Sequence, residues 1–323
     1  MGQCGGSCTR LWKSGLGFRM RLRRWSFLAG IAAVLAGAAI GAQAADLPMP
    51  QAAAPAANVP TFVPDRPWWR FFTDGEWYFA FGSNKEFWSN TDIHVSQPAL
   101  GNDFTIHSVT GHDAPFGAGE APQYNVRIGR FFNENWGAEL SIDHSKYYSD
   151  IGQTAQVTGV VGSPGPCAAK PSMVLSKTCF YEELHNGANH IMLDAVYRYP
   201  LLGKTNETGS LAAIGKAGVG VMLPHTSDTI LGNAVDVGQK TWGNLVGLST
   251  GWWQLNGWTT GAELGVRYVV FRPFYLELTN KVAYSGFFNL PAFQGTMSQS
   301  MWMDEIILTF GFTYDGTSAH PVW

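Results

Sequence analysis

Apolar and polar residues alternate with a period of two along much of the chain beyond residue 75. In the segment 124–132, Tyr124, Val126 and Ile128 share one face, and Asn125, Arg127 and Gly129 share the other. The same alternation marks segments 76–82, 136–145, 190–199, 211–223, 263–270, 274–284 and 306–314. Period-two patterning predicts strands with one apolar and one polar face. No segment in this region shows the 3.6-residue spacing of an amphipathic helix.

The polar faces are unusual for a water-soluble sandwich. They carry Glu139, Asp143, Asp194, Glu263, Glu277 and Glu305 against Arg127, Arg198, Lys216, Arg267 and Lys281. A charged face that is nearly balanced suits the inside of a narrow barrel, where little water is present and charges pair. The apolar faces carry Trp, Tyr and Phe towards their ends, as an aromatic girdle does. Connections also alternate in length. The segments 131–137, 200–209 and 271–273 are short, whereas 83–122, 149–188, 224–256 and 287–300 are long. The expectation is an all-β fold, an eight-stranded antiparallel transmembrane β-barrel with long extracellular loops and a lumen filled by side chains.

The N-terminal region fits export. Arg19, Arg21, Arg23 and Arg24 precede an apolar run from Phe27 to Ile40, and Ala42-Gln43-Ala44 reads as a cleavage site before Ala45. That run is shorter than the ~20 residues needed to span a bilayer as a helix. Residues 1–44 are therefore read as a cleaved signal peptide with an upstream extension, translation starting at Met1 or Met20. Residues 45–70 read as an Ala/Pro-rich periplasmic linker, 71–316 as the barrel and 317–323 as a short tail. The expected location is the outer membrane of a Gram-negative cell envelope, reached with the help of the barrel-assembly machinery. Removing residues 1–44 takes away six of the 21 basic residues and none of the 24 acidic ones, leaving a net charge of −9. Such a balance argues against nucleic acid as a partner. Cys167 and Cys179 lie in one Gly/Pro/Ser-rich stretch of an exported chain, and a disulfide between them is expected.

Candidate chemistry collects at one end of this topology. Of eight histidines, His94, His107, His112, His144, His185, His190 and His225 fall in or beside the long connections. Histidine serves as acid, base or metal ligand near neutral pH, although polar loops hold histidine for no chemical reason as well. The stretch "WSNTDIHVSQPALGNDFTIHSVTGHD" alternates as an extra hairpin above the barrel, with Ile93, Val95, Phe104 and Ile106 on one face. His94, His112, His144 and His190 with Asp92 or Asp143 would supply a mononuclear metal site, yet no spacing is diagnostic. No motif for an organic cofactor occurs. His144-Ser145 and His107-Ser108 are adjacent and point to opposite faces of a strand, which disfavours a serine–histidine dyad within either.

Several of these residues fall in an order that resembles a family of outer-membrane β-barrels including lipid A oxidase-like members. The resemblance covers about 76–315. It rests on Asp92, His94 and Gln97; on Asp103 and Thr105; on Arg127, Trp136, Gly137, Asp143, His144, Lys146 and Tyr147; and on His185, Gly187, Asn189, Pro224 and His225. "ADLP" after the cleavage site is similar to other exported barrels. For its oxidase-like members the resemblance implies oxidation of the proximal glucosamine of lipid A to an aminogluconate, with molecular oxygen as acceptor. On this reading the catalytic candidates are His144, Asp143, His185, Asn189, His94 and Asp92. Lys146, Tyr147, His225 and Gln97 are the substrate-binding candidates, with Lys146 against a lipid phosphate. Outer-membrane lipid and lipopolysaccharide are the implied partners. The alternative is a non-enzymatic structural or surface-interaction barrel; a diffusion porin fits least, since the lumen is expected to be full.

Overall fold

The computed structural model describes residues 75–114, 123–163, 165, 167, 169–237, 246–247 and 251–315. The proposed leader, linker and C-terminal tail lie outside the described residues. Eight long strands form the frame: β1 (Glu76–Trp88), β2 (Tyr124–Phe131), β3 (Trp136–His144), β4 (Ala188–Leu202), β5 (Leu211–Pro224), β6 (Gly257–Phe271), β7 (Phe274–Ala292) and β8 (Gly295–Asp315). Each pairs antiparallel with the next, and β8 returns to pair with β1 through a register running from Glu76↔Asp315 to Trp88↔Met303. These eight strands therefore close into a ring. A path of paired residues leaving β1 at Tyr78 passes Gly129, Glu139, Asp194, Gly218, Gly261, Ala283 and Met303 and regains β1 at Trp88, ten residues further along.

The alternation read in the sequence is the physical division of this ring. Leu193, Val219 and Leu308 face outward and are 64%, 66% and 54% exposed. Arg127, Glu139 and Asp143 on neighbouring positions are 1%, 1% and 0% exposed. Exposed aromatics gather at both ends of the outer face: Trp136, Tyr197, Phe271 and Tyr314 at the end with short turns, and Phe87, Trp258, Phe288 and Trp302 at the other.

The lumen is packed in layers. At the short-turn end Tyr78, Phe131, Val196, Ile214 and Tyr275 form an apolar plug. Arg267 lies 4.6 Å from the Tyr78 ring and 4.1 Å from Tyr275, while its Nε donates to Glu277 at 2.7 Å. Arg198 stacks 3.7 Å over Phe131 and pairs with Glu76 at 2.7 Å. Large side chains fit because glycine faces them. A Cβ at Gly129 would stand 2.1 Å from the Tyr78 ring, and one at Gly311 2.3 Å from Tyr275. The middle layer is ionic. Lys216 Nζ lies 3.0 Å from Glu139, 3.0 Å from Glu263 and 2.8 Å from Glu277. Arg127 bridges Asp143, Glu139 and Glu263, and Lys281 bridges Asp143 and Glu305. Paired in this way, the charges avoid the large penalty of isolated burial.

Above this layer the long connections fold into a compact cap. The hairpin Thr91–Gln97 and Asn102–Val109 joins the barrel sheet: Ser96, Val95 and His94 pair with the upper end of β8, and Asn102–Val109 pairs with Thr154–Val160. A second sheet runs in the order Asn233–Asp236, Ser227–Ile230, Phe180–Leu184, Tyr147–Ser149, Gly111–His112. Between them lies an apolar core containing Ile93, Val95, Phe104, Ile106, Phe180, Leu184, Ile230, Leu290 and Met297. The cap thus buries its apolar faces, the opposite of the ring below it. Cys167 and Cys179 are joined by a disulfide with Cα atoms 5.7 Å apart. One expected loop is absent: 287–300 is a continuation of the β7–β8 hairpin, turning at Phe293-Gln294 with Gln294 at φ 50°. A register shift after Phe287, with Asn289 at φ 51°, carries the paired strands through Pro291 to the turn.

Candidate functional site

The residues expected to meet at the upper rim are distributed over separate faces. On the hairpin, alternation turns Ile93 and Val95 into the cap core and leaves Asp92 and His94 on the outer face. His94 Nε2 lies 2.8 Å from Asp103, and Asp92 lies 2.9 Å from His107 Nδ1. Asp92 also accepts the Ser108 amide at 2.8 Å, and that amide, then His107, holds its carboxyl below the ordinary carboxylate range. Asp92 and His94 are therefore spent on the hairpin's own cross-strand ties.

Asp143 and His144 are neighbours on β3 and so point apart. Asp143 faces the lumen and belongs to the Arg127–Lys281 network. His144 lies on the opposite side of the strand, stacked 4.8 Å from Tyr124, with Nδ1 2.7 Å from Asn189 Oδ1. Asn189 is itself fixed by donating to the Leu223 carbonyl at 2.8 Å. This His144–Asn189 pair is the one combination of catalytic candidates that the fold brings into direct contact.

The substrate-binding candidates are mostly internal. Lys146 is 1% exposed, Tyr147 0% and Gln97 0%. Burial removes Lys146 from reach of a lipid phosphate. Tyr147 packs edge-on to Trp88 at 5.7 Å within the cap core. Gln97 donates to the Phe293 carbonyl at 2.6 Å and accepts from Asn102 at 2.9 Å, closing the hairpin against the β7–β8 turn.

His185 and His225 form a second grouping, with ring centroids 5.6 Å apart. His225 is fully buried, donates from Nδ1 to the Trp252 carbonyl at 2.6 Å, stacks on that indole at 3.9 Å, and places Nε2 3.0 Å from Asp236. His185 lies 3.0 Å from Glu183, and that bond holds the Glu183 carboxyl below its ordinary range. Both ring nitrogens of His225 have partners, and His185 Nε2 lies 2.5 Å from Asn186 Nδ2. Among the described residues, no three or more His, Cys, Asp or Glu side chains are gathered as metal ligands.

Two groupings escaped the sequence reading. Glu86, Asp113 and Gln123 form a hydrogen-bonded cluster at the top of the lumen, with Lys85 2.6 Å from Asp113. Glu182 and Asp228 stand opposite each other on paired strands inside the cap. Of these acids, Glu182 carries a signal in the sequence, an acid inside the apolar row Phe180-Glu182-Leu184.

No family model and no curated protein matches the chain. Solved structures similar to it are outer-membrane β-barrels. The outer membrane protein AlkL in lipid bilayers shares 12% identity at a TM-score of 0.34, covering 77% of this chain and 94% of that one. Neisserial surface protein A shares 10% at 0.32, covering 75% and 98%. Outer membrane protein OprG from Pseudomonas aeruginosa shares 13% at 0.30, covering 75% and 97%.

Proposed function

We propose that this chain is an eight-stranded barrel spanning an outer membrane, closed to solutes, whose outward end displays a rigid β cap as a surface for interaction. The observation that carries this reading is the packing of the interior. Paired charges fill the lumen, an apolar plug closes one end, and the cap core closes the other. The exposed apolar band with aromatics at both ends supports a lipid setting, since water would penalise such a surface. For eight strands, a ten-residue offset corresponds to a tilt of roughly 40° and a backbone radius of about 8 Å. Inward side chains occupy a cylinder of that size entirely.

The cap chemistry favours display over catalysis on phosphate-rich lipid. The described surface of the cap carries Asp92, Asp103, Asp150, Glu183 and Asp236 against Lys85, Lys170 and Lys177. An acidic surface repels anionic head groups. A second reading, a lipid A-modifying enzyme, is favoured by one observation: the His144–Asn189 pair. Asn189 orients the ring as a partner orients a general base.

Expression in the outer membrane of a host lacking the protein, with lipid A compared by mass spectrometry, separates the two. The display reading expects an unchanged spectrum from folded, inserted protein. A mass change abolished by His144→Ala overturns it in favour of the enzyme, with gain of one oxygen indicating oxidation. Reconstitution into planar bilayers tests closure separately: discrete conductance steps would refute a packed lumen.

A further inference from the structure

Glu182 and Asp228 face each other across adjacent strands of the cap, 0% and 3% exposed. Their surroundings are apolar. Phe180 and Leu184 flank Glu182 on its own face, and Ile230 follows Asp228. Neither acid has an ion-pair partner among the described residues. Gln299 of β8 reaches Glu182 from the opposite sheet, standing between Met297 and Met301 on a buried row, and its Nε2 lies 2.5 Å from Glu182 Oε1. Tyr147 lies on the same inward face of the second sheet, within the electrostatic reach of Glu182.

The oxygens here are unusually free. Asp228 Oδ1 and Oδ2, Glu182 Oε2, Gln299 Oε1 and the Tyr147 hydroxyl are all buried without a well-formed hydrogen bond, the Glu183 amide being the one backbone donor acting on Asp228. Buried polar groups are paired in nearly every native protein, and exceptions call for a role or an occupant. Protons alone do not answer this. A protonated carboxyl is a donor in need of an acceptor, and the two acids make no hydrogen bond to each other. A single divalent cation would satisfy both carboxylates and neutralise their charge. Every donor is a hard oxygen, the set that suits calcium, magnesium or manganese and not zinc or copper. Two carboxylates able to bind through both oxygens favour calcium over magnesium.

We propose that Glu182, Asp228, Gln299 and Tyr147 form a calcium-binding site buried between the two sheets of the cap. Turning the Gln299 amide over would bring its Oε1 to the ion in place of the Nε2 contact with Glu182. Without the ion the pair is costly: burial raises Glu182 to about 8, and burial together with the Glu182 charge raises Asp228. The ion would therefore join the cap during folding and stay enclosed. Its place fits a bolt between sheets, since Glu182 and Asp228 come from one and Gln299 from the other.

The test uses full-length chain refolded in detergent from inclusion bodies, free of lipopolysaccharide, stripped with chelator and titrated with calcium chloride. The expected result is one calcium ion retained per chain after desalting, with a melting temperature raised on the order of 5 °C at calcium a hundredfold above Kd. Asp228→Asn, nearly isosteric, abolishes both effects. Should that variant fail to refold, Gln299→Met, which matches the flanking methionines, weakens calcium binding at least tenfold. Absence of stoichiometric calcium together with melting indifferent to calcium and chelator would overturn the proposal. Undiminished binding by Gln299→Met and Asp228→Asn would overturn it equally, placing the ion elsewhere.

Discussion

Replacing Leu193 by arginine asks what solvent the outer face of the ring meets. Leu193 is 64% exposed and faces Leu140 and Val219 in register on its neighbouring strands. It lies four residues above Tyr197, one of the aromatics at the short-turn end. At roughly 40° of tilt each residue climbs about 2.5 Å, so Leu193 stands about 10 Å above that row, near the middle of a band about 25 Å tall. An arginine there should cost about 2–4 kcal/mol if the band meets lipid. Val174 in the cap is a matched control, 57% exposed but within a sheet that faces water. Val174→Arg should change stability by no more than about 0.5 kcal/mol. Both variants are refolded into phospholipid vesicles, and reversible unfolding in guanidinium is followed by tryptophan fluorescence. Equal, small effects at the two positions would refute the claim that the outer face is lipid-facing, however apolar it is.

Lys216→Met should destabilise the barrel by about 3–5 kcal/mol, because Glu139, Glu263 and Glu277 lose a shared cation and keep their burial; a loss below about 1 kcal/mol in the same unfolding assay would contradict the ionic layer. Joint replacement of Cys167 and Cys179 by serine removes a closure spanning 12 positions, worth about 3 kcal/mol at most. Limited proteolysis should then nick the cap while the barrel keeps its anomalous migration in unheated gels; a cap as resistant as before would show the bond to be dispensable. In calcium-free buffer, Glu182 holds a proton in the folded chain up to about pH 8, against an ordinary value of 4.5. Its contribution is full below pH 4.5 and falls as pH rises towards 8, so melting temperature should decline across that window. Glu182→Gln should flatten the decline, and a rise with pH in the parent protein would refute the assignment.

The ring was legible because its alternation is long and its two faces are chemically extreme. Leu193 beside Asp194, or Leu278 beside Glu277, states which side is which without any neighbour being known. The cap was not legible for the converse reason. Its strands are short, and Phe180, Ile230 and Val95 acquire meaning only when segments far apart in sequence meet. The histidines show the same limit. Their position along the chain correctly placed them at one end, but position does not state a face. Asp143 and His144 are consecutive and lie on opposite sides of β3, while Asp92 and His94 share a face that turns away from both. Glu182 breaks an otherwise apolar alternation between Phe180 and Leu184, a mark present in the sequence, but its partner Asp228 comes from a strand far away along the chain.

The hairpin that follows β1 has a consequence for the order of assembly. Ser96, Val95 and His94 pair with β8 just above the seam where β8 meets β1. The first and last strands of the ring are thus zipped twice, once in the barrel and once in the cap. The apolar core above draws on every long connection and on the β7–β8 turn, so it stays incomplete until the last strand is in place. Interleaved in sequence, cap and barrel cannot mature one after the other as separate pieces. Completion of the cap becomes a clasp on the seam, and a chain with an open seam exposes an apolar interior that proteases can recognise.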